Sequence, residues 1–425
     1  MGTKGKASLG FCFFVSSFER LLYILLLLGL SLFLVFYGDA KKLFNVISVL
    51  MVVCVLFRPV CFSGKERFFW VLVLLMIPIS SFVTYLVHDQ ERDFDLFLDA
   101  LRVSGISIIL SFFLKGFSKF KVEHVLACVF LCSLLGGVVS LYEWWGSDFN
   151  SRISIGTRML NFFAAAMLAS TLVSLYYGFC FFRGRWQWFS LISFCFGSIG
   201  VFSTGTRSCI AILIFSLLIA VLYSLVKKKW NVAFFGVVIF LCFSVGVSDV
   251  LIKRYHKTLS SVSVYLDESS SVEDKSTSLG FRFEMWKYSL KLIKENPYSG
   301  YGSKLFSQLE ADSGITREST VEIGNYNSAH NSLLQYWVSK GVLGVLAYFL
   351  MILYPLLLAL FKRFKGREAV IIISLTYLLT GLTENNLGHA YSLAFYFLFL
   401  TALLTSYYSK CEEKGLEDDL DYQSI

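Results

Sequence analysis

The sequence predicts an all-α, polytopic integral membrane protein with about twelve transmembrane helices. Of its 425 residues, 56% are hydrophobic and only 16% are charged, whereas about a quarter of the residues of a soluble domain carry a charge. Apolar segments of roughly 17 to 25 residues, long enough to cross the hydrocarbon core of a bilayer, recur from end to end. This composition excludes a soluble enzyme, a nucleic-acid-binding protein and a small disulfide-stabilised scaffold.

The apolar segments and the basic connections between them predict the topology. Every second short connection is rich in Lys and Arg, as cytoplasmic connections are, with Lys41 and Lys42 as the clearest exception. This alternation predicts that both termini lie in the cytoplasm and that the number of spans is even. The predicted spans cover residues 19–37, 43–57, 68–87, 97–114, 123–142, 159–182, 187–203, 208–226, 231–250, 332–361, 369–383 and 390–408.

One long polar connection, between spans nine and ten, defines the domain organisation. Residues 1–250 hold nine spans, residues 251–330 form an external loop, residues 331–408 hold three spans, and residues 409–425 form an acidic cytoplasmic tail that we expect to be disordered. The first third of the loop is rich in serine, which predicts an irregular segment.

An amphipathic helix is predicted in the second half of this loop. After Gly280, the apolar residues Trp286, Leu290 and Ile293 recur at helical spacing opposite three lysines. The helix should end at Pro297, because the residue before a proline is pushed out of the helical region. The glycines that follow predict a tight turn. The basic and aromatic faces of such a helix suit the membrane surface.

The familiar signatures of metal and nucleotide chemistry are missing from the sequence. It has no P-loop, no dinucleotide-binding glycine fingerprint and no His-Glu-x-x-His pair, and nothing around Cys128 and Cys132 has the spacing of a zinc site. Asp93-Phe94-Asp95 is interpreted as a solvated acidic loop end. We therefore expect neither a metal nor a cofactor. An external enzyme of this kind needs a substrate that is already activated, and a lipid-linked diphosphate sugar is the obvious candidate.

Two arginines and one histidine on the external side are the candidate chemical groups. Arg207 lies where spans seven and eight meet, and Arg282 lies at the start of the amphipathic helix. Guanidinium groups bind phosphates bidentately; anchoring among lipid headgroups is the alternative role. His330 lies at a predicted helix N-terminus, where the helix dipole favours a neutral imidazole that could take a proton from an acceptor hydroxyl. A capping or interface histidine is the alternative there.

Together these fragments resemble the O-antigen ligase and polymerase superfamily of bacterial envelope glycosyltransferases. The matching fragments occur in the order Arg207-Ser208, Arg282-x-x-x-Trp286, Asn296-Pro297-x-x-Gly300-x-Gly302, His330-Asn331 and Gly341-x-x-Gly344. A weaker match precedes span six, in Arg152-x-x-x-Gly156 with Arg158 and Asn161. The late position of the long loop is most similar to the lipopolysaccharide O-antigen ligases.

The resemblance implies a GT-C-like, metal-independent, inverting glycosyltransferase of the bacterial inner membrane with its active site facing the periplasm. The donor would be O-antigen linked to undecaprenyl diphosphate, the acceptor a sugar hydroxyl of lipid A-core, and the surroundings membrane lipids, with no nucleic acid as a partner. Arg207 and Arg282 would stabilise the leaving diphosphate, and His330 would be the base. The substrate-binding residues would be Asn331, Arg158, Asn161, Gly300, Gly302 and Trp286.

Three other functions remain open. An O-antigen polymerase shares this chemistry but transfers the glycan to another lipid-linked glycan, and a protein O-oligosaccharyltransferase transfers it to a secreted protein. A transporter of an anionic lipid or solute is the more distant alternative. It would need internal repeats and helices broken near the middle of the membrane, and the sequence predicts neither.

Overall fold

The described part of the chain is built from helices joined by mostly short connections. The computed structural model describes residues 4–35, 37–56, 65–115, 117, 120–148, 151–155, 160–181, 184–267, 269–270, 272–275, 277–303 and 328–423. Within these ranges the regular structure is entirely helical. The helices are α1 (Lys4–Ser31), α2 (Tyr37–Leu56), α3 (Lys65–His88), α4 (Glu91–Lys115), α5 (Val122–Gly146), α6 (Leu160–Tyr176), α7 (Arg185–Thr204), α8 (Arg207–Val226), α9 (Trp230–Leu266), α10 (Val272–Lys275), α11 (Ser278–Glu295), α12 (Ser332–Phe361), α13 (Arg367–Gly381) and α14 (Ala390–Gln423).

The helices confirm a multi-pass membrane protein. In the described part of the chain, eight are long and apolar enough to cross a membrane: α3 to α8, α12 and the Ala390–Tyr408 part of α14. Helices α2 and α9 contain shorter apolar stretches, Asn45–Val55 and Trp230–Ile239. The exact number of twelve spans and the GT-C-like arrangement stay predictions.

Helices α6 and α14 form the centre of the bundle. In the apolar segments Leu160–Phe181 and Ala390–Tyr408, 89% of the most apolar 18 residues are buried inside the protein. The small side chains of Ala164, Ala165 and Ala166 are completely buried, and such residues let neighbouring helices approach closely. The outer helices instead expose large apolar residues such as Leu86 and Phe215. On a transmembrane helix this exposed apolar surface faces lipid rather than water.

Four connections meet at one end of the bundle, where the polar residues concentrate. Asp93 at the start of α4 accepts a hydrogen bond from the backbone N–H of Ser303 at 3.2 Å. The Nε–H of Arg152 donates to the carbonyl of Thr204, the last residue of α7, at 2.8 Å. These contacts join the α3–α4 connection to the chain between α11 and α12, and the α5–α6 connection to the α7–α8 joint.

Two segments that we expected to be irregular or disordered are helical. Helix α9 continues through Ser260 and Ser263 to Leu266, and its last turn is joined to α11 by the hydroxyl of Tyr265, which donates to Glu284 at 2.7 Å. The prediction of an irregular segment was therefore wrong there. Helix α14 likewise extends to Gln423, so the acidic tail is not the disordered segment that we expected; its Glu and Lys residues favour helix.

The amphipathic helix of the long loop is present as α11, but its buried face differs from the predicted one. Met285, Tyr288 and Leu292 are buried, together with Ile293, whereas Leu290 is 50% exposed. The buried residues pack against α12 in a small apolar cluster that includes Val338. The face that packs against α12 is therefore shifted by one residue from the predicted face, which corresponds to a rotation of about 100° around the helix axis.

Helix α12 is broken at Gly341, and the turn that follows α11 fills the break. Gly341 has φ 59° and ψ −153°. The backbone N–H groups of Tyr301 and Gly302 donate to the carbonyls of Val338 and Ser339, at 2.8 and 2.9 Å. These bonds satisfy carbonyls that an interrupted helix leaves without a partner. This break was not predicted from the sequence.

Candidate functional site

One cavity at the polar end of the bundle brings together residues that are far apart in the sequence. Its volume is about 630 Å³, within the range usual for ligand sites. Four of the residues singled out from the sequence line it, and they come from α6, α8, α11 and the chain before α12. They are Asn161, Arg207, Arg282 and His330.

The joint between α7 and α8 positions Arg207. Gly205 is the C-cap of α7, and its φ of 61° turns the chain sharply. Thr206 is the N-cap of α8, and its hydroxyl donates to Asn161 Oδ1 at 3.3 Å. Arg207 is then the first residue of α8. Asn161 therefore lines the cavity and also fixes the helix start that carries the arginine.

Hydrogen bonds at the N-termini of α11 and α12 position the other two candidates. Thr277 caps α11 by accepting the backbone N–H of Gly280 at 3.1 Å, one turn before Arg282. Asn331 caps α12 by accepting the N–H of Leu334 at 3.0 Å, directly after His330. The Asn331 amide also donates to the carbonyl of Leu382 at 3.0 Å. Asn331, predicted to bind substrate, is thus a helix cap and an anchor between α12 and the chain after α13.

The cavity has the electrostatic character of an anion-binding site. Three arginines line it, Arg152, Arg207 and Arg282, against a single carboxylate among the described lining residues, Glu384. The first residues of α8 and α11 lie in its wall, and helix N-termini present partial positive charge and backbone N–H groups to anions. The arrangement suits a phosphate or diphosphate group.

Glu384 connects two of the candidate groups, and the sequence analysis missed it. It is 5% exposed; one carboxylate oxygen, Oε1, accepts a hydrogen bond from Arg282. The other oxygen, Oε2, lies 2.8 Å from Nδ1 of His330. The Ser332 hydroxyl donates to the Glu384 carbonyl at 2.9 Å. The local signal was an acidic residue directly after a predicted span, a position that often marks function in membrane proteins.

His330 has an unusual backbone conformation that its neighbours enforce. Its φ is 46°, a region that residues other than glycine rarely adopt and that clusters at functional sites. Trp286 donates from Nε1 to the carbonyl of Ala329 at 2.9 Å, and the Ala329 N–H donates to the side chain of Gln335 at 2.8 Å. Trp286, predicted to bind substrate, thus anchors the chain beside His330 and is absent from the described cavity lining.

Gly300 and Gly302 lie away from the cavity, in the turn against the break in α12. A Cβ atom on Gly300 would lie 2.6 Å from the Val338 carbonyl oxygen. A Cβ atom on Gly302 would lie 2.6 Å from the Asp93 carboxylate, which is 3% exposed. The interpretation of Asp93 as a solvated loop end was therefore wrong, because the turn covers it. Arg158, the remaining predicted binding residue, lies outside the described residues.

Comparisons with known proteins identify the segment that carries most of this site. Residues 192–349 match the family model described as O-antigen ligase; the match contains Arg207, Arg282 and His330 and ends before Glu384. A protein of Haemophilus influenzae described as "Uncharacterized protein" is 35% identical over 104 residues, which are 24% of this chain. The aligned segment covers 25% of that relative's length.

Proposed function

We infer the function from one premise, that residues 192–349 of this multi-pass membrane protein form a domain of the O-antigen ligase family. The specific activity that we propose is that of a lipopolysaccharide O-antigen ligase. It transfers O-antigen from undecaprenyl diphosphate to a sugar hydroxyl of lipid A-core, at the periplasmic face of the inner membrane. The observation that carries the proposal is the cavity shared by Arg207, Arg282 and His330.

The positive charge of the cavity supports the departure of a diphosphate. When the bond between the anomeric carbon and the phosphate oxygen breaks, its electron pair and the negative charge go to the diphosphate. Arg152 and Arg207 line the cavity beside the N-terminus of α8, where guanidinium forks and backbone N–H groups stabilise phosphate oxygens. Arg282, which Glu384 holds in one orientation, supplies a third guanidinium group that does not need to reorganise during the reaction.

His330 and Glu384 together fit the role of a general base. With the proton on Nδ1 donated to the carboxylate, Nε2 carries the lone pair. In the proposed step this nitrogen takes the proton of the acceptor hydroxyl while the hydroxyl oxygen attacks the anomeric carbon. The imidazolium ion that forms lies beside the Glu384 carboxylate, which stabilises it. A single displacement of this kind inverts the anomeric centre.

The lipopolysaccharide of a deletion strain tests the proposal. Loss of a ligase leaves core lipopolysaccharide without O-antigen, while the lipid-linked polymer accumulates. A plasmid copy of the gene should restore the ladder of bands, and a copy with His330→Ala should not. Core capped by a single repeat would identify a polymerase instead, and loss of glycan from a secreted protein would identify an oligosaccharyltransferase.

Reconstitution of the purified protein gives the direct test. Defined undecaprenyl-diphosphate-linked O-antigen and lipid A-core, mixed with the protein in proteoliposomes, should yield the joined product. If the wild-type protein joins two lipid-linked glycans and leaves lipid A-core unmodified, the ligase assignment is wrong.

A further inference from the structure

A second, smaller polar cavity lies beside the site and is unused by the proposed chemistry. Its volume is about 130 Å³. The segment from Thr383 to His389 separates the two cavities, with Glu384 lining the first and Asn385 lining the second. The polar lining of the second cavity comes mainly from α4, α12 and this segment, with Ser81 of α3 and Ser303 beside them, and includes Arg92, Asp93, Gln335, Lys340, Asn385 and His389.

An unsatisfied amide in this cavity points to a ligand. The Oδ1 atom of Asn385 is buried and has no hydrogen-bond partner among the described residues. A buried acceptor without a donor is unfavourable, so a small rotation of this amide into the cavity would let a ligand hydroxyl donate to it. Lys340 presents a second polar group nearby: its ammonium donates to the Ser81 hydroxyl at 2.6 Å and lies 5.0 Å from the ring centroid of Tyr336.

The charges of the lining favour an uncharged, hydroxyl-rich ligand over an anion. Among the described lining residues, the cations Arg92 and Lys340 are matched in number by the carboxylates of Asp93 and Asp99. The cavity therefore lacks the excess of positive charge of its neighbour. Carboxylates, amides and cations beside apolar side chains offer both donors and acceptors, which is the pattern that the hydroxyl groups and apolar faces of a sugar ring require. The volume suits one sugar residue.

The elements around the cavity indicate which substrate supplies this sugar. None of the described residues of α8 or α11, the helices that bring Arg207 and Arg282 to the diphosphate site, lines it. Its wall includes the first three turns of α12, whose N-cap, Asn331, directly follows His330. Gln335 lines the cavity and also bonds the backbone of Ala329, next to His330, at 2.8 Å. A glycan that brings its hydroxyl to His330 thus has this cavity within reach.

We propose that this cavity is a subsite for one uncharged sugar residue of the acceptor glycan. The assignment to the acceptor rests on the proposed function, whereas the binding of a sugar does not. Two variants probe it: Lys340→Met, which keeps the length of the side chain without its charge, and Arg92→Ala, at an exposed position of the rim. Lys287→Ala, on the exposed face of α11 away from both cavities, is the matched control.

The first measurement is binding without turnover. Core oligosaccharide freed of its lipid by mild acid is titrated into the full-length protein in lipid nanodiscs, with saturation-transfer NMR or calorimetry as the readout. Lys340→Met should weaken binding about 10- to 100-fold, since one hydrogen bond to a charged group contributes roughly 1.5–3 kcal/mol. Arg92→Ala should weaken it severalfold, and Lys287→Ala should leave it unchanged.

The second measurement separates the two substrates in reconstituted transfer. Both cavity variants should raise KM for lipid A-core while leaving kcat and the KM for the lipid-linked donor near wild-type values. Wild-type protein that fails to bind the oligosaccharide, or variants that bind it equally well, would overturn the subsite. A rise in donor KM alone would assign the cavity to the donor and would equally overturn it. Oligosaccharide binding by a protein that transfers nothing to lipid A-core would leave the sugar subsite standing and refute the proposed function.

Discussion

Nδ1 of His330 and Oε2 of Glu384 lie 2.8 Å apart, although 54 residues separate them in the chain. The other oxygen of the same carboxylate is bonded to Arg282. One buried carboxylate therefore orients both the proposed base and one of the proposed phosphate-binding groups. It is a positioning residue, because it acts through His330 and Arg282, and its loss should affect the rate more than substrate binding.

We expect Glu384→Gln to lower kcat about 100-fold or more, in line with the usual contribution of general-base catalysis, with little change in donor KM. The amide keeps the volume but cannot stabilise an imidazolium ion. Steady-state kinetics in proteoliposomes, with the thermal unfolding midpoint of each variant, provide the readout. Glu143→Gln, at an exposed position of α5, is the control. Wild-type kcat in a folded Glu384→Gln protein would remove the carboxylate from the mechanism.

Arg207→Ala and Arg282→Ala should each reduce kcat/KM for the donor, on the order of 100- to 1000-fold, as removal of one electrostatic donor from such a site commonly does. Lysine at either position should rescue only part of the loss, because it keeps the charge and lacks the fork that binds two oxygens. Arg20→Ala, at an exposed position of α1, is the control. If both alanine variants transferred glycan normally, the diphosphate would have to bind elsewhere.

His330→Ala should abolish transfer while donor binding survives, because the arginines rather than the histidine hold the diphosphate. His330→Gln should be nearly as defective, since an amide cannot take the proton. Donor binding is measured with a fluorescent undecaprenyl-diphosphate sugar, and turnover with the full pair of substrates. His256→Ala, whose side chain is exposed, should retain activity. Near-normal turnover by His330→Ala would mean that another group is the base.

Gly341→Ala should lower the yield of folded protein and its unfolding midpoint, because the new Cβ would lie 1.9 Å from the Tyr298 carbonyl oxygen. The backbone at Gly341, with φ 59° and ψ −153°, lies in a region that is essentially restricted to glycine and adds about 1–3 kcal/mol for any residue with a side chain. Gly105→Ala is the matched control: it lies within α4, and nothing lies within 4 Å of its added Cβ. Equal stability of the two variants would mean that the break in α12 does not need glycine.

Reporter fusions test the orientation that the basic connections predict. An alkaline phosphatase reporter fused after Arg254 should be active only in the periplasm, and a fluorescent reporter fused after Lys229 only in the cytoplasm. The contrast follows from the retention of Lys and Arg on the cytoplasmic side. A cytoplasmic signal from the fusion after Arg254 would overturn both the topology and the proposed access of periplasmic substrates to the cavity.

The sequence predicted those parts of the site that have a local signal. Arg207 and His330 lie at helix starts that the residue pattern marks, so their positions at one end of the bundle could be expected. For Glu384 the sequence offers only its position directly after a predicted span, because its importance comes from contacts with Arg282 and His330, 102 and 54 residues away in the chain.

The same reasoning explains the misassigned residues. The glycines of Tyr298–Gly302 predict a turn correctly, but nothing in the sequence says that the turn packs against α12 rather than against a substrate. Trp286 was predicted to bind substrate, yet its indole N–H donates a hydrogen bond to the backbone carbonyl of Ala329. The buried face of α11 was misplaced by one residue because both sides of this helix carry apolar side chains, and only the contact with α12 decides between them.

The break at Gly341 bears on how the protein responds to bilayers of different thickness. A continuous transmembrane helix transmits tilting along its whole length when the hydrocarbon core thins or thickens. In α12, the Tyr298–Gly302 turn is hydrogen-bonded on both sides of the break: Tyr301 and Gly302 donate to the carbonyls of Val338 and Ser339, and the N–H of Val342 donates to the Tyr298 carbonyl at 3.3 Å. Because the turn bridges the break, we expect a change in the tilt of α12 in a thinner or thicker bilayer to move the turn together with both sections of the helix.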